Sequence, residues 1–273
     1  MAKRRKPKRR RKPDANSKVS EPDVVSDPSN LARPAESRVS RNATLDSLRG
    51  LAIVLMIIDH VVGLLFSQPI LDSPVRWMTR LSMPLFCVLM GYFFDPARRF
   101  QDGKFRWRRF GQILGSAVLV NLVFWPHYAK IEILGSLLIA YGLFVLTGPL
   151  FPGLVFVILF YRDDALAQWL DFPPTIVVSF VAQGMILRKL GIRVALLSGA
   201  MLTVGSGVIF LLEPTGVNHL LCLFVLLATL LVYAGQRWPN CSIAGLVQIG
   251  RYPLTVYVIQ YYVVFAIFWG LLK

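Results

Sequence analysis

The chain has 273 residues, of which 55% are hydrophobic and 16% charged, yet its formal net charge is +15. A soluble domain carries about 25% charged residues, so this composition argues against an ordinary soluble enzyme, and the apolar content excludes a disordered protein. Three widely spaced cysteines form neither a disulfide framework nor a metal cluster, and an apolar body with a large positive charge is typical of a membrane protein whose charges are unevenly placed.

The first 41 residues predict a disordered basic tail. Residues 3–12 read KRRKPKRRRK and hold nine basic residues and no acid. The stretch that follows lacks an apolar period, so it cannot bury enough surface to offset its chain entropy. Basic runs of this kind bind nucleic acid in some proteins. We instead expect a cytoplasmic tail that sets the topology or touches anionic lipid, and no nucleic-acid partner.

Residues 42–273 predict one integral membrane domain. A membrane-spanning helix needs about 20 mainly apolar residues. Nine apolar runs are candidates: 50–68, 77–94, 110–126, 131–148, 149–161, 174–187, 192–212, 217–235 and 252–272. The fifth run is short and broken by proline, which predicts a bent or re-entrant element. The expected fold class is all-α, a polytopic helical bundle of about nine (eight to ten) transmembrane helices.

The loops between these runs predict the orientation of the chain. With the tail inside, the inner loops contain eleven basic residues and two acids, whereas the outer loops and span ends contain five basic residues and six acids. Cytoplasmic loops carry an excess of Lys and Arg. The charge therefore predicts an N-terminus inside and a C-terminus outside.

Three ionisable residues lie within the first two runs. Asp59 and His60 are adjacent in the first run, and His60 follows Arg49 by eleven residues, which places it about 16 Å along the helix, near the bilayer midplane. Arg80 in the second run is the natural partner of Asp59 by charge. Intramembrane ionisable groups are costly and are functional candidates by default. The alternative is structural: the histidine would serve only as a hydrogen-bonding partner between helices, and the ion pair would only fix helix packing.

Several familiar sites are absent from the sequence. There is no P-loop motif, and no His–Glu or Cys–His spacing predicts a metal site.

Thr44 is predicted to cap the first helix, with Asp46 favouring its positive end. These residues therefore have sufficient structural reasons to be present.

Four segments resemble integral membrane acyltransferases. The run RNATLDSLRGLAIVLMIIDHVVGLLF, residues 41–66, resembles the first helix of the acyltransferase-3 family, the heparan-alpha-glucosaminide N-acetyltransferase-like proteins and the TraX pilin acetylases. RLSMPLFCVLMGYFF is similar to their second helix, EILGSLLIAY to a middle helix and IGRYPLTVYVIQYYVVF to their closing helix. Gln260 stands where relatives often carry a histidine.

The resemblance implies a reaction and its participants. An acyl group, expected to be acetyl, would move from cytoplasmic acyl-coenzyme A to a hydroxyl or amine of a glycan, lipid or protein at or beyond the outer face. No resident cofactor is expected, and the partners are membrane lipids, the donor and an envelope acceptor of a bacterial cytoplasmic membrane. His60 would take the acceptor's proton or carry the acyl group. Arg80 would orient His60 through Asp59 or stabilise a developing oxyanion.

Basic residues at the predicted inner face are candidates for the phosphates of the donor. They are Arg49, Arg98, Arg99, Arg106, Arg108, Arg109 and Arg251. Topology alone would also explain them.

Two other functions stay open at this point: a transporter or flippase whose path is lined by Asp59, His60, Arg80 and Gln260, and an accessory protein that acts through its basic tail.

Overall fold

The structure is a computed structural model. It describes residues 42–65, 73–94, 100–101, 104–105, 107–160, 169–212 and 217–272. The predicted tail, residues 1–41, lies outside the described residues.

The described elements are helical apart from one short hairpin. The α-helices are α1 (Ala43–Leu65), α2 (Pro74–Thr79), α3 (Ser82–Phe93), α4 (Trp107–Tyr128), α5 (Ile133–Thr147), α6 (Pro174–Leu190), α7 (Ile192–Leu212), α8 (Val225–Arg237), α9 (Ala244–Arg251) and α10 (Pro253–Leu272). Two 3₁₀ helices span Gly148–Phe160 and Val217–Phe224. Strands β1 (Phe100–Gln101) and β2 (Lys104–Phe105) pair antiparallel, with Phe100 opposite Phe105.

The helical membrane fold expected from the sequence is confirmed in its class. Within the described ranges, four helical stretches are long and apolar enough to cross a membrane: Arg108–Tyr128, Ile133–Phe160, Ile192–Leu212 and Leu220–Arg237. A shorter apolar helix covers Pro253–Phe268. The count of nine spans stays a prediction.

The second predicted span, 77–94, is divided in the structure. Ser73 caps α2, which ends at Thr79, and α3 begins at Ser82 after a tight turn. Pro84 has no N–H to donate to the Arg80 carbonyl and its ring crowds that carbonyl, which favours a break of the helix before α3. The 12 residues of α3 rise only about 18 Å, less than the hydrocarbon thickness of a bilayer.

The fifth predicted run, 149–161, begins where α5 ends. Gly148 has a φ of 54°, a left-handed conformation that favours glycine. The chain then continues as a 3₁₀ helix that contains Pro152. The proline-broken run is therefore a separate helical element joined directly to α5.

Helix α9 lies in a segment that the sequence assigned to an inner loop. It packs against the N-terminal half of α1, where a Cβ on Gly50 would overlap the carbonyl oxygen of Leu246, and a Cβ on Gly250 would overlap that of Asp46. Glycines let the two backbones approach this closely. The eight residues of α9 are too few to give a membrane-span signal, which is why hydropathy missed the helix.

The start of α1 also differs from the prediction. Asn42, not Thr44, caps the helix, since its side-chain oxygen accepts a hydrogen bond from the Leu45 N–H at 3.0 Å. The Thr44 hydroxyl instead donates to the Trp238 carbonyl at 2.6 Å. Both residues therefore tie α1 to the end of α8, because Asn42 also donates to the Gly235 carbonyl.

A second glycine crossing joins α3 to α6. A Cβ on Gly91 would overlap the Val181 carbonyl oxygen, and a Cβ on Gly184 would overlap that of Val88. Nearby, the fully buried Gln183 side chain receives a hydrogen bond from Ser198 and donates to the Ala195 carbonyl. Small residues and satisfied polar groups are the usual means of association between helices in lipid.

Gly184→Ala is expected to destabilise the protein because its new methyl group meets backbone that cannot move aside. Overpacking of this kind costs about 1–3 kcal/mol, which corresponds to a fall in melting temperature of roughly 2–10 °C for a domain of this size. Thermal unfolding of the detergent-purified protein measures it. Gly142→Ala is the matched control, since a Cβ there has no neighbour within 4 Å; equal melting temperatures for the two variants would contradict the close crossing.

Candidate functional site

Asp59 is the centre of a cluster formed by α1 and the short helix α2. The Thr79 hydroxyl donates to its Oδ1 at 2.8 Å. The Arg76 Nε lies 3.5 Å from Oδ1, and the Arg80 Nη2 lies 3.6 Å from Oδ2. All three charged side chains are only 13–16% exposed. The structure therefore brings the predicted pair Asp59 and Arg80 together and adds a second arginine and a threonine.

Helix α2 is positioned for this contact by its own capping. Ser73 accepts a hydrogen bond from the Arg76 N–H, and Pro74 occupies the first helical position, where its missing N–H costs nothing. Gly63, one turn beyond His60, leaves room for the Arg76 guanidinium, which lies 3.1 Å from where a Cβ would stand. The break between α2 and α3 thus serves the site by placing both arginines against α1.

His60 points to a different set of residues from its neighbour Asp59, since adjacent positions on a helix diverge by about 100°. Its Nε2 lies 3.3 Å from the hydroxyl oxygen of Tyr261 on α10, and the two rings pack with centroids 4.8 Å apart. The Tyr261 hydroxyl also donates to Glu132 Oε1 at 3.1 Å. A chain of side chains therefore links the predicted histidine to a buried carboxyl group.

Glu132 is the residue that the sequence analysis did not place in the site. It caps α5, accepting a hydrogen bond from the Leu134 N–H through Oε2, and it is 1% exposed. Tyr257, one turn before Tyr261, donates to the same Oε1. The sequence contains two signals for this contact between Glu132 and the tyrosines. One is a glutamate that opens an apolar run, and the other is two tyrosines at a spacing of four in the last span. Neither signal shows that the residues meet.

Gln260 lies on the buried face of α10 between the two tyrosines. It is 4% exposed, and within the described residues neither its amide nitrogen nor its amide oxygen has a hydrogen-bond partner. Gln183, by contrast, is satisfied on both atoms. A buried amide without partners costs free energy, so Gln260 is suited to a polar group that none of the described residues supplies.

A third acid approaches the Asp59 cluster from the segment before α6. The Asp171 N–H donates to the Ile131 carbonyl at 2.9 Å, next to the start of α5. Burial raises the pKa of the Asp171 carboxyl, and the charges of Lys130 and Arg80 act in the opposite direction. Arg80 therefore interacts electrostatically with two acids, Asp59 and Asp171.

The candidate phosphate ligands are only partly brought together. Arg49 binds Asp46 at 2.9 Å and lies over the ring of Phe93, 3.8 Å from its centroid. Arg108 and Arg109 are exposed at the start of α4, and Arg251 is exposed at the end of α9. Arg98, Arg99 and Arg106 lie outside the described residues. A metal site is a separate question: among all the residues that the structure describes, no group of three or more His, Cys, Asp or Glu side chains could hold a metal ion.

One comparison with known proteins returns a family. Residues 42–161 match the family model described as an acyltransferase domain, Acyl_transf_3. This match covers α1 to the first 3₁₀ helix, and so includes Asp59, His60, Arg80 and Glu132 but not the tyrosines of α10. No curated protein and no solved structure matches the chain.

Proposed function

We propose, from the match of residues 42–161 to the acyltransferase-3 family model, that this integral membrane protein transfers an acetyl group from cytoplasmic acetyl-coenzyme A to a hydroxyl or amine acceptor at or across the membrane. The match supports a membrane acyltransferase in general. The donor, the acetyl group and an acceptor in the envelope of a bacterial cytoplasmic membrane are our proposal.

The observation that carries the proposal is the environment of His60. An imidazole lies about 16 Å along α1 from the basic end at Arg49, contacts a hydroxyl of a second helix and follows an acid that is paired with two arginines. The imidazole therefore contacts a second helix on one side. It also lies within electrostatic range of Asp59, Arg80 and Arg76.

The reaction divides between the imidazole and the arginines. One imidazole nitrogen takes the proton of the acceptor O–H or N–H while the acceptor atom attacks the thioester carbonyl carbon. The tetrahedral intermediate collapses with cleavage of the carbon–sulfur bond, and the imidazolium returns its proton to the departing thiolate of coenzyme A. Positioned general-base catalysis contributes typically about 10²–10⁴-fold.

Arg80 is suited to stabilise the oxyanion of that intermediate. Its Nη2 faces Asp59, whereas its buried Nε has no hydrogen-bond partner among the described residues. One guanidinium can therefore be oriented by the acid and still donate a hydrogen bond to the substrate. Donors aimed at developing negative charge in a site that excludes water are worth about 3–4 kcal/mol each.

The proposed function is tested with purified protein in proteoliposomes. Acetyl-coenzyme A labelled in the acetyl group is added together with an extract of bacterial envelope as the acceptor mixture. Transfer predicts label in the glycan, lipid or protein fraction, with one free coenzyme A released per acetyl transferred. Absence of label from every fraction, with the donor intact, would overturn the proposal. Solute flux without donor cleavage would instead favour the transporter hypothesis.

Arg108 and Arg109 are expected to contribute to donor binding because they are exposed at the proposed inner face. Replacing both with glutamine should raise the KM for acetyl-coenzyme A roughly tenfold, as expected for losing one or two exposed charge-assisted contacts. The KM for S-acetylpantetheine, which lacks the nucleotide phosphates, should not change. Arg193→Gln, at another exposed arginine, is the control; an equal change for both donors would show that the pair does not bind phosphate.

A further inference from the structure

The Glu132 carboxyl group accepts more hydrogen bonds than its capping role requires. The carboxyl group receives the Leu134 N–H on Oε2 and the hydroxyls of Tyr257 and Tyr261 on Oε1. None of the described Lys or Arg side chains forms an ion pair with it. A buried capping residue needs only the backbone contact, so the two tyrosines make Glu132 the centre of a polar cluster that reaches His60.

The number of protons in this cluster restricts the state of the histidine. A tyrosine hydroxyl has one proton to donate. Tyr261 donates it to Glu132 Oε1 at 3.1 Å, so its oxygen can only accept from His60 Nε2, which lies 3.3 Å away. An N–H is therefore required on Nε2. In a neutral imidazole the other nitrogen, Nδ1, then carries the lone pair.

Tyr257 is the second donor to the Glu132 carboxyl. Its hydroxyl donates to the same Oε1 of Glu132 and lies 3.4 Å from the Tyr261 hydroxyl. Because Tyr257 also directs its proton to the carboxyl, Glu132 is the common acceptor of both tyrosines. Asp59, the other acid beside His60, is engaged by Thr79 and two arginines and diverges from His60 on the helix.

We infer that Glu132 is a positioning residue that acts through Tyr261 to hold His60 with its proton on Nε2, so that Nδ1 is the atom that exchanges protons with substrate. The inference rests on the proposed function for its role in catalysis. During transfer the acceptor proton moves to Nδ1 and then from Nδ1 to the coenzyme A thiolate. The proton on Nε2 remains there, hydrogen-bonded to the Tyr261 oxygen. The imidazolium formed in between donates through Tyr261 to Glu132.

The tautomer can be measured without any turnover. The chain has three histidines, so ¹⁵N-histidine labelling of the full chain in detergent gives three imidazole signal pairs, and His60→Gln assigns one of them. We expect His60, at a pH where it is neutral, to show a protonated Nε2 and an unprotonated Nδ1. Tyr261→Phe should convert this into a mixture of tautomers. A protonated Nδ1 in the wild type, or an unchanged spectrum in Tyr261→Phe, would overturn the inference.

Tyr262→Phe is the matched control for that experiment. Tyr262 is the next residue of the same helix, is 40% exposed and donates to the Leu119 carbonyl rather than to the cluster. It loses the same hydroxyl from the same helix, so the His60 signals should not change. A change equal to that of Tyr261→Phe would show that the signals report general loosening of α10.

The kinetic consequence separates positioning from folding. Loss of the acid that orients a catalytic histidine costs about 10⁴-fold in the serine-protease triad, and with a tyrosine interposed we expect Glu132→Gln to lower kcat by about 10²-fold while the donor KM stays constant. An unchanged kcat would overturn the catalytic part of the inference. If the wild-type chain transfers no acyl group but shows the expected tautomer, the proposed function fails and the tautomer assignment stands.

Discussion

Replacement of His60 by alanine is expected to lower acyl transfer by about 10²–10⁴-fold, the contribution of a positioned general base. The variant removes the imidazole that contacts the Tyr261 hydroxyl of α10, while the ion pairs of Asp59 do not depend on it. We therefore expect the protein to fold and insert normally. The rate of label transfer from acetyl-coenzyme A measures the loss, and size-exclusion chromatography in detergent measures folding.

His127→Ala provides the comparison for that result. His127 lies in the last turn of α4 with its ring stacked on Phe265, at a centroid distance of 5.2 Å. His127→Ala therefore removes an imidazole from an aromatic contact that lies one turn beyond Tyr261 on α10. Full activity in His127→Ala with loss in His60→Ala supports the assignment. Equal losses would attribute the effect to disturbed helix packing.

Asp59→Asn is expected to cause the largest loss of stability. It removes the carboxylate that both guanidinium groups approach in a largely buried site. Breaking a buried ion pair by removing one partner costs about 3–5 kcal/mol, and the 13–16% exposure of these side chains places the expected loss at the lower end. Thermal unfolding of the detergent-purified variant measures the loss.

A double-mutant cycle with Arg80→Gln identifies the pair. If Arg80 and Asp59 interact, the double variant should be more stable than the sum of the two single losses predicts, by about 0.5–3 kcal/mol. Arg76 continues to be a neighbour in every variant, so the cycle isolates the Arg80 contact. Strictly additive losses would contradict an energetic coupling between Asp59 and Arg80.

The sequence was sufficient to predict the helical membrane class and the ionisable residues of the first helix. Both depend on local properties: hydropathy over about 20 residues, and the high cost of Asp59 and His60 within an apolar run. The pairing of Asp59 with Arg80 was also accessible, because opposite charges within neighbouring spans have few alternative partners.

The rest of the site depends on contacts between residues that are distant in the chain. Tyr261 meets His60 across 201 positions and Glu132 across 129, and no periodicity or motif in either segment records that they meet. Arg76 lies one residue before the predicted run 77–94, so hydropathy did not place it among the intramembrane charges. Helix α9 was missed for a related reason, since a short packed helix has the composition of a loop.

The most direct test of the central claim uses sealed inverted membrane vesicles from cells that produce the full chain. Acetyl-coenzyme A labelled in its acetyl group does not cross the membrane, so it reaches only the face that carries Arg108 and Arg109 if the proposed orientation holds. We predict that label enters membrane or lumenal acceptors in vesicles with the wild-type chain and not in vesicles with His60→Ala. Equal labelling in the two preparations would contradict an acyltransferase that works through His60.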